Sequence, residues 1–324
     1  MKEKSNFTRR AALGVIGAFG ASMASAYGAR SVGEASNVQS GVTGTGHSEL
    51  TCSRDLNFPH TPSTVVDTVT PLSLAAITND LDNILPTLSS WDSHYAVLSA
   101  QADGAFNLRT AFTAEEAREY YAANVTAFTY LDDEKRFYDH QGRWFSVVDS
   151  TFSLNMLPNG PMFTGMRGVH VVLTWPDGVI GQLYWGEPSW VQPFDVRDPK
   201  EFTDKLIAYE DAWRSGNMEA RLAMIEDQTC SVGRVAELSG TRRSRFVART
   251  KDDLRAAWSS ATAGKVLELN RLHHIVSTYY VFVVHRVVLK VGGARVVREV
   301  ATLLPIGPNR KFIGELSYAF EAGI

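Results

Sequence analysis

The chain has 324 residues, 44% hydrophobic, 21% charged and 10% aromatic, with a formal net charge of −3. That length suits two domains of ordinary size, and 32 Lys and Arg against 35 Asp and Glu leave no basic surplus for a nucleic-acid partner. The body of the chain holds no run of about 18 apolar residues, which argues against a membrane-spanning helix, and two cysteines are too few for a disulfide scaffold or a Cys-rich zinc site.

Residues 1–26 read as an export signal. A charged start leads to Thr8-Arg9-Arg10, then to a short apolar stretch and the small-residue exit Ala24-Ser25-Ala26. The arginine pair ahead of a moderately hydrophobic core resembles the twin-arginine signal. The expectation is cleavage after Ala26 and a mature bacterial protein that is periplasmic or secreted. Residues 27–66, rich in Gly, Ser and Thr, are expected to form a flexible leader, because they offer little apolar surface to offset their ordering entropy. Cys52 lies in this leader, and its spacing from Cys230 neither requires nor excludes a bridge.

From there on the chain reads as one pattern written twice, over 67–192 and 193–324. Helical segments are expected at 72–98 and again at 200–227. A short capped helix follows at 113–128 and at 250–262, each opened by a Thr N-cap three residues before an acid, Thr113 with Glu116 and Thr250 with Asp253. Alternating strands come next, at 143–156, 168–175 and 179–186, then at 265–290, 294–304 and 311–320. Asp177-Gly178 and Gly292-Gly293 mark the hairpins. Three pairs of segments recur in the same order: Trp91-Asp-Ser93 with Trp213-Arg-Ser215, Thr113–Arg118 with Thr250–Arg255, and Ile180-Gly181-Gln182-Leu183 with Ile313-Gly314-Glu315-Leu316. Helices followed by a meander make an α+β pattern, with helices covering one face of a curved antiparallel sheet.

The segment Trp213-Arg-Ser-Gly216-Asn217-Met-Glu-Ala-Arg-Leu222 is similar to the first-helix signature of the SnoaL-like (polyketide-cyclase-like) branch of the NTF2-like superfamily. The hairpin Trp175–Trp185 resembles that branch's closing strands. The resemblance implies two tandem cone-shaped α+β barrels, each with a pocket between sheet and helices. It leaves chemistry open, since the superfamily includes isomerases, dehydratases, cyclases, epoxide hydrolases and non-catalytic modules.

Alternation assigns the faces. A two-residue turn at Gly292-Gly293 sets Arg286 opposite Glu299 and His285 opposite Val300. One face then carries Tyr279, Val281, Val283, His285, Val287, Arg298 and Thr302, and the other Tyr280, Phe282, Val284, Arg286, Val288 and Glu299. Both are largely apolar, so the outer one needs a cover, and packing of the two sheets against each other as an intramolecular pseudo-dimer would supply it. The same arithmetic at Asp177-Gly178 sets His170 opposite Trp185, with Glu187 two residues along. His170 as base with Glu187 as its orienting partner is the expected catalytic pair. Tyr184 or Asp149 would be a supporting donor or acid, Asp149 only if its face points inward. His94 and Tyr95 are expected at a pocket rim near the first helix. In the second pocket Tyr279 shares a face with His285 and Arg298, and the latter two would bind an anionic or carbonyl group. His273 and His274 point to opposite faces, so no metal is expected there.

No G-x-S-x-G elbow, P-loop, G-x-G-x-x-G or H-E-x-x-H occurs, and no cofactor is expected. The leading reading is a binder of a small, mostly apolar organic molecule, working, if catalytic, by cofactor-free proton transfer. The alternative is a non-catalytic binding or assembly module whose cones are filled with side chains. A homo-oligomer is neither required nor excluded.

Overall fold

The computed structural model describes residues 82, 85–100, 105–125, 128–132, 140–141, 144–156, 162–188, 198–260 and 263–323. The expected signal, the leader with Cys52, and most of the segment expected to be helical before residue 85 lie outside the described residues.

The class is α+β. In chain order the first half contains β1 (His94–Ala100), β2 (Phe106–Ala111), α1 (Ala114–Val125), β3 (Phe128–Asp132), β4 (His140–Gln141), β5 (Phe145–Met156), β6 (Met162–Trp175) and β7 (Gly178–Pro188). The second contains α2 (Pro199–Ser215), α3 (Met218–Ala223), β8 (Ser231–Glu237), β9 (Arg243–Ala248), α4 (Lys251–Ser259), β10 (Lys265–Val276), β11 (Tyr280–Val291), β12 (Ala294–Pro305) and β13 (Leu316–Gly323). Strands β1–β7 form one sheet, in the order β2-β1-β7-β6-β5-β3 with β4 on β5. Strands β8–β13 form the other, in the order β10-β11-β12-β13-β8-β9. Read from the other edge, the second order repeats the six-strand path of the first, and β4 has no counterpart among the described residues. Among the described residues both sheets are open, and neither closes into a barrel.

The helices open on side-chain caps, α1 and α4 on the expected Thr113 and Thr250. Asp198 accepts from the Lys200 N–H and Pro199 occupies the first turn of α2, which ends at Gly216 with φ +70°. Thr250 and Asp253 form a reciprocal capping box on α4. On α1 only half of the box closes: Glu116 N–H donates to Thr113 Oγ1 at 3.1 Å, while the Glu116 carboxylate reaches the Phe112 N–H.

Three expectations change. His94–Ala100, inside the expected helix 72–98, is strand β1, and Trp91-Asp-Ser93 precedes it without helical structure, so its match to the helical Trp213–Ser215 fails. All seven residues of β1 are buried, so the strand shows no period-two alternation and reads as a generic apolar run. The run 265–290 is two strands, β10 and β11, turning at Ser277–Tyr279. The sheets are also mixed instead of antiparallel: β1 lies parallel to β7, and β13 parallel to β8.

The repeated Ile-Gly marks these parallel joins. A methyl group on Gly181 would stand 1.8 Å from the His94 carbonyl oxygen, and one on Gly314 2.5 Å from that of Cys230. Strand β1 and strand β8 can approach only because both positions lack a side chain.

The two sheets pack face to face through one continuous core. From the first half it takes Leu98, Trp144, Val169, Val171 and Trp185, and from the second Tyr280, Phe282, Leu303, Tyr318 and Phe320. Polar groups cross this interface as well. Trp144 Nε1 donates to Glu299 at 2.8 Å, Tyr318 OH donates to Asp92 at 2.7 Å, Arg234 Nε donates to Asp92 at 3.0 Å, and the Tyr279 hydroxyl donates to Asp149. A stack holds two indoles of the first half, Trp91 and Trp175, 4.0 Å apart, between Arg243 and Phe320 of the second. The opposite face of the second sheet is covered by α2, α3 and α4 through Phe202, Leu206, Tyr209, Leu222 and Leu254, packed on Val281 and Val283.

Gly181→Ala is expected to cost about 3 kcal/mol or more, because the clash is with backbone that cannot yield. A urea melt reads this, and an unchanged midpoint would refute the account of the parallel join.

Candidate functional site

The hairpin geometry decides the fate of the expected catalytic pair. The β6–β7 turn is Pro176-Asp177, and an irregularity after Leu173 leaves Ile180 out of the pairing. The register therefore differs by one from a simple Asp177-Gly178 turn. His170 faces Tyr184, Val169 faces Trp185, and Arg167 faces Glu187. His170 and Glu187 consequently project from opposite faces of the sheet and cannot form a dyad. Glu187 is buried in an ion pair with Arg167, whose guanidinium lies 4.3 Å over the Tyr279 ring. Asp149 is on that same interface side, accepting from Tyr279, so neither acid nor phenol reaches the inside of a cone. Trp185 packs there too, edge-on to Phe106.

His170 and Tyr184 lie on the other, concave face. His170 Nε2 contacts Gln182 Oε1, and Gln182 Nε2 donates to Tyr120 at 3.1 Å. Burial pushes the His170 imidazole down to about 4, so it is neutral at physiological pH. Tyr184 fills the space over the facing Gly168 and Gly186, where a Cβ would meet its hydroxyl at 2.6 and 2.2 Å. That is why a glycine separates Trp185 from Glu187. Tyr95 points to the same side and meets the rings of Tyr120 and Tyr121. His94, one residue earlier, points the opposite way, onto Tyr318 and Phe112, and burial, followed by Arg234, pushes it down to about 3. Neither residue sits at a helix-borne rim.

In the second half the Gly292-Gly293 register and the face assignment agree with expectation from Val281 onward: His285 faces Val300 and Arg286 faces Glu299. Tyr279 departs from it, turning to the interface. His273 packs on Phe145 and Phe282 at the interface, and His274 lies on the other face near Arg271, Glu210 and His285. His285 is buried, with Nε2 2.8 Å from Glu210 Oε1 and its ring edge-on to Trp213. Arg298 donates to Glu321 at 2.7 Å.

Between this sheet and its helices lies a cavity of about 310 Å³. Its apolar wall includes Met218, Phe246, Trp258, Val287, Leu289 and Val300, and its polar groups include Arg221, Arg298, Thr302, Glu315 and Ser317. Glu315 and Arg221 form its central pair. Arg221, on α3, contacts Glu315 Oε1 and the Tyr209 hydroxyl, and its guanidinium lies 3.8 Å over Trp258 and 4.6 Å over both Tyr209 and Trp213. The Glu315 backbone N–H donates to Ser231 Oγ at 3.0 Å, and Trp258 Nε1 reaches Oε2 at 3.3 Å. Burial pushes the Glu315 carboxyl up to about 8, while the guanidinium at Oε1 acts in the opposite sense. A carboxyl poised near neutrality in an apolar cavity can both take and release a proton.

Both residues stand inside motifs quoted for their fold value. Glu315 is the counterpart of Gln182 in the repeated Ile-Gly-x-Leu, and Arg221 is the penultimate residue of the helix signature. An acid in one copy where the other has an amide was the available signal. A groove of about 700 Å³ also opens beside Trp91, Trp175 and Arg243, but these side chains are stacked on one another and present no free platform.

No protein-family model matches the chain, and no curated protein matches it. Among solved structures the chain is similar to an NTF-2-like protein of unknown function from Burkholderia xenovorans, at 14% identity over 37% of this chain and 84% of that one, TM-score 0.27. It is similar to an epoxide hydrolase/cyclase-like enzyme of pyran ring formation in polyether salinomycin, at 12% over 38% and 92%, TM-score 0.29. A third is a protein with a ketosteroid isomerase-like fold from Catenulispora acidiphila in complex with trimethylamine, at 16% over 35% and 82%, TM-score 0.26.

Hydrogen bonds from His285 and Arg271 outweigh the upward push of burial and hold Glu210 at about 2, below its ordinary 4.5. A depressed carboxyl stabilises the fold above its unfolded value, and that contribution is lost as pH falls from about 4.5 towards 2. Glu210→Gln is therefore expected to lower the melting temperature at neutral pH and to flatten the stability profile across that acid window. A parallel acid limb in both proteins would contradict the assignment.

Proposed function

We propose that the second-half cavity binds a small, mostly apolar organic molecule and that Glu315 exchanges a proton with it, in a cofactor-free isomerisation, dehydration or cyclisation. The observation that supports this reading is a single buried carboxyl, pushed up to about 8, in the wall of an apolar cavity of about 310 Å³. Such a volume suits a small ligand. Arg221 orients the carboxyl and carries positive charge towards an oxyanion forming on the ligand. Thr302 and Ser317, which face each other across β12 and β13, supply neutral hydrogen-bonding groups.

The first half takes the part of a non-catalytic partner in this scheme. Its concave face carries Tyr95, Tyr184, His170 and Gln182 under Tyr120 and Tyr121, a packed aromatic group with a neutral imidazole. The chain is then a tandem pair of SnoaL-like units in which one copy works and the other seals its sheet. Export through residues 1–26 belongs to the same proposal.

A β,γ-unsaturated cyclic ketone, followed by ultraviolet absorbance as it becomes the conjugated enone, probes the chemistry. Wild-type protein is expected to accelerate the conversion, and Glu315→Gln to lose roughly 10²–10⁴-fold while still melting cooperatively. Equal rates in the two proteins would reject Glu315 as the proton carrier. For export, protein recovered outside the cytoplasm is expected to begin at Tyr27, and replacing Arg9 and Arg10 together with Lys to retain the precursor inside. Normal export of that variant would remove the twin-arginine assignment.

A further inference from the structure

The cavity's charge is lopsided. Its lining includes Arg214, Arg221, Arg234, Lys265 and Arg298 against one acid, Glu315. Arg214 and Lys265 are exposed, whereas Arg221, Arg234 and Arg298 are buried. Two of the buried guanidiniums are neutralised by acids from elsewhere, Arg234 by Asp92 and Arg298 by Glu321. Arg221 differs. It is 7% exposed, three aromatic rings surround it, its ion-pair partner among the described residues is Glu315, and its Nε has no hydrogen-bond partner among them.

This environment leaves a buried cation dependent on one carboxyl that burial itself drives towards the neutral form. When Glu315 holds its proton, Arg221 lacks a counter-ion, and an anion entering the cavity would restore one. The neutral Glu315 could then donate its O–H to the same anion. At the mouth Arg214 is held by Asp211, and the exposed Lys265 would favour entry of a negative ligand. The apolar wall of Met218, Phe246, Val287 and Leu289 would in turn favour a hydrocarbon body over a sugar or phosphate.

We propose that the ligand of this cavity is a small organic acid, with a carboxylate seated between Arg221 and Glu315 and an apolar body against the sheet. This deepens the preceding reading and rests on it, since it presupposes that the cavity takes a ligand. A dianionic group fits less well, because Arg221 is the one buried guanidinium of the lining that is not already neutralised by an acid from outside the cavity.

Three probes with a common skeleton separate the possibilities: phenylacetate, phenylacetamide and phenethylamine, titrated calorimetrically into the full chain. Phenylacetate is expected to bind at least tenfold more tightly than the amide, and the amine weakest. Glu315→Gln, which fixes the side chain in a neutral, donating form, is expected to bind phenylacetate at least as tightly as wild type. Arg221→Gln is expected to erase the preference for the acid over the amide. Should that variant fail to fold, the ranking of the three probes on wild-type protein still decides the matter. Equal or tighter binding of the amide or the amine would overturn the carboxylate inference while leaving the cavity as a ligand site. Binding of none of the three would overturn both.

Discussion

Everything in this molecule depends on two sheets sharing one core. A sheet whose two faces are both apolar cannot stand in water on one side, and each sheet here meets that constraint by covering the other. The polar groups at the seam reinforce it, because their partners are supplied across it: Trp144 finds its acceptor in Glu299, and Tyr318 and Arg234 find theirs in Asp92. Removing one half would leave the other with buried charges and donors unpaired, in addition to exposed hydrocarbon. The halves thus share one core and the polar contacts at its edge.

Sharing the seam also divides the labour of the concave faces. In the first half the Gly168–Gly186 pair lets the Tyr184 ring fold down over the strands, and Tyr95, Tyr120 and Tyr121 pack nearby. In the second half the position of Tyr184 is taken by Ser317 and that of Gln182 by Glu315, by the 133-residue offset of the repeat. Small and ionisable side chains there leave a cavity with a carboxyl in its wall. The same architecture thus gives a packed aromatic face once and a polar-lined cavity once.

Legibility in the sequence varied with how local the cause was. Thr250 and Asp253 announced α4, and the Gly292-Gly293 turn fixed the register of β11 against β12. These depend on residues within a few positions of each other. Strand β1 was hidden because burial on both faces erases alternation. The pairing of β6 with β7 was misjudged by one residue, since the irregularity at Ile180 has no signature separate from the parallel strand that it accommodates. One residue of slip moved Glu187 to the far face and dissolved the His170 pair.

By itself the sequence determined the α+β class, the second hairpin's faces and the need for a cover on the outer sheet surface, because periodicity and turn chemistry are local properties. The tertiary structure alone decided that Asp149, Glu187 and Tyr279 belong to the seam, that β1 and β8 enter their sheets in parallel, and that Glu315 and Arg221 meet at a cavity. Those outcomes depend on which distant strands and helices are brought together. Burial, which sets the charge of an imidazole or a carboxyl, exists only once they are.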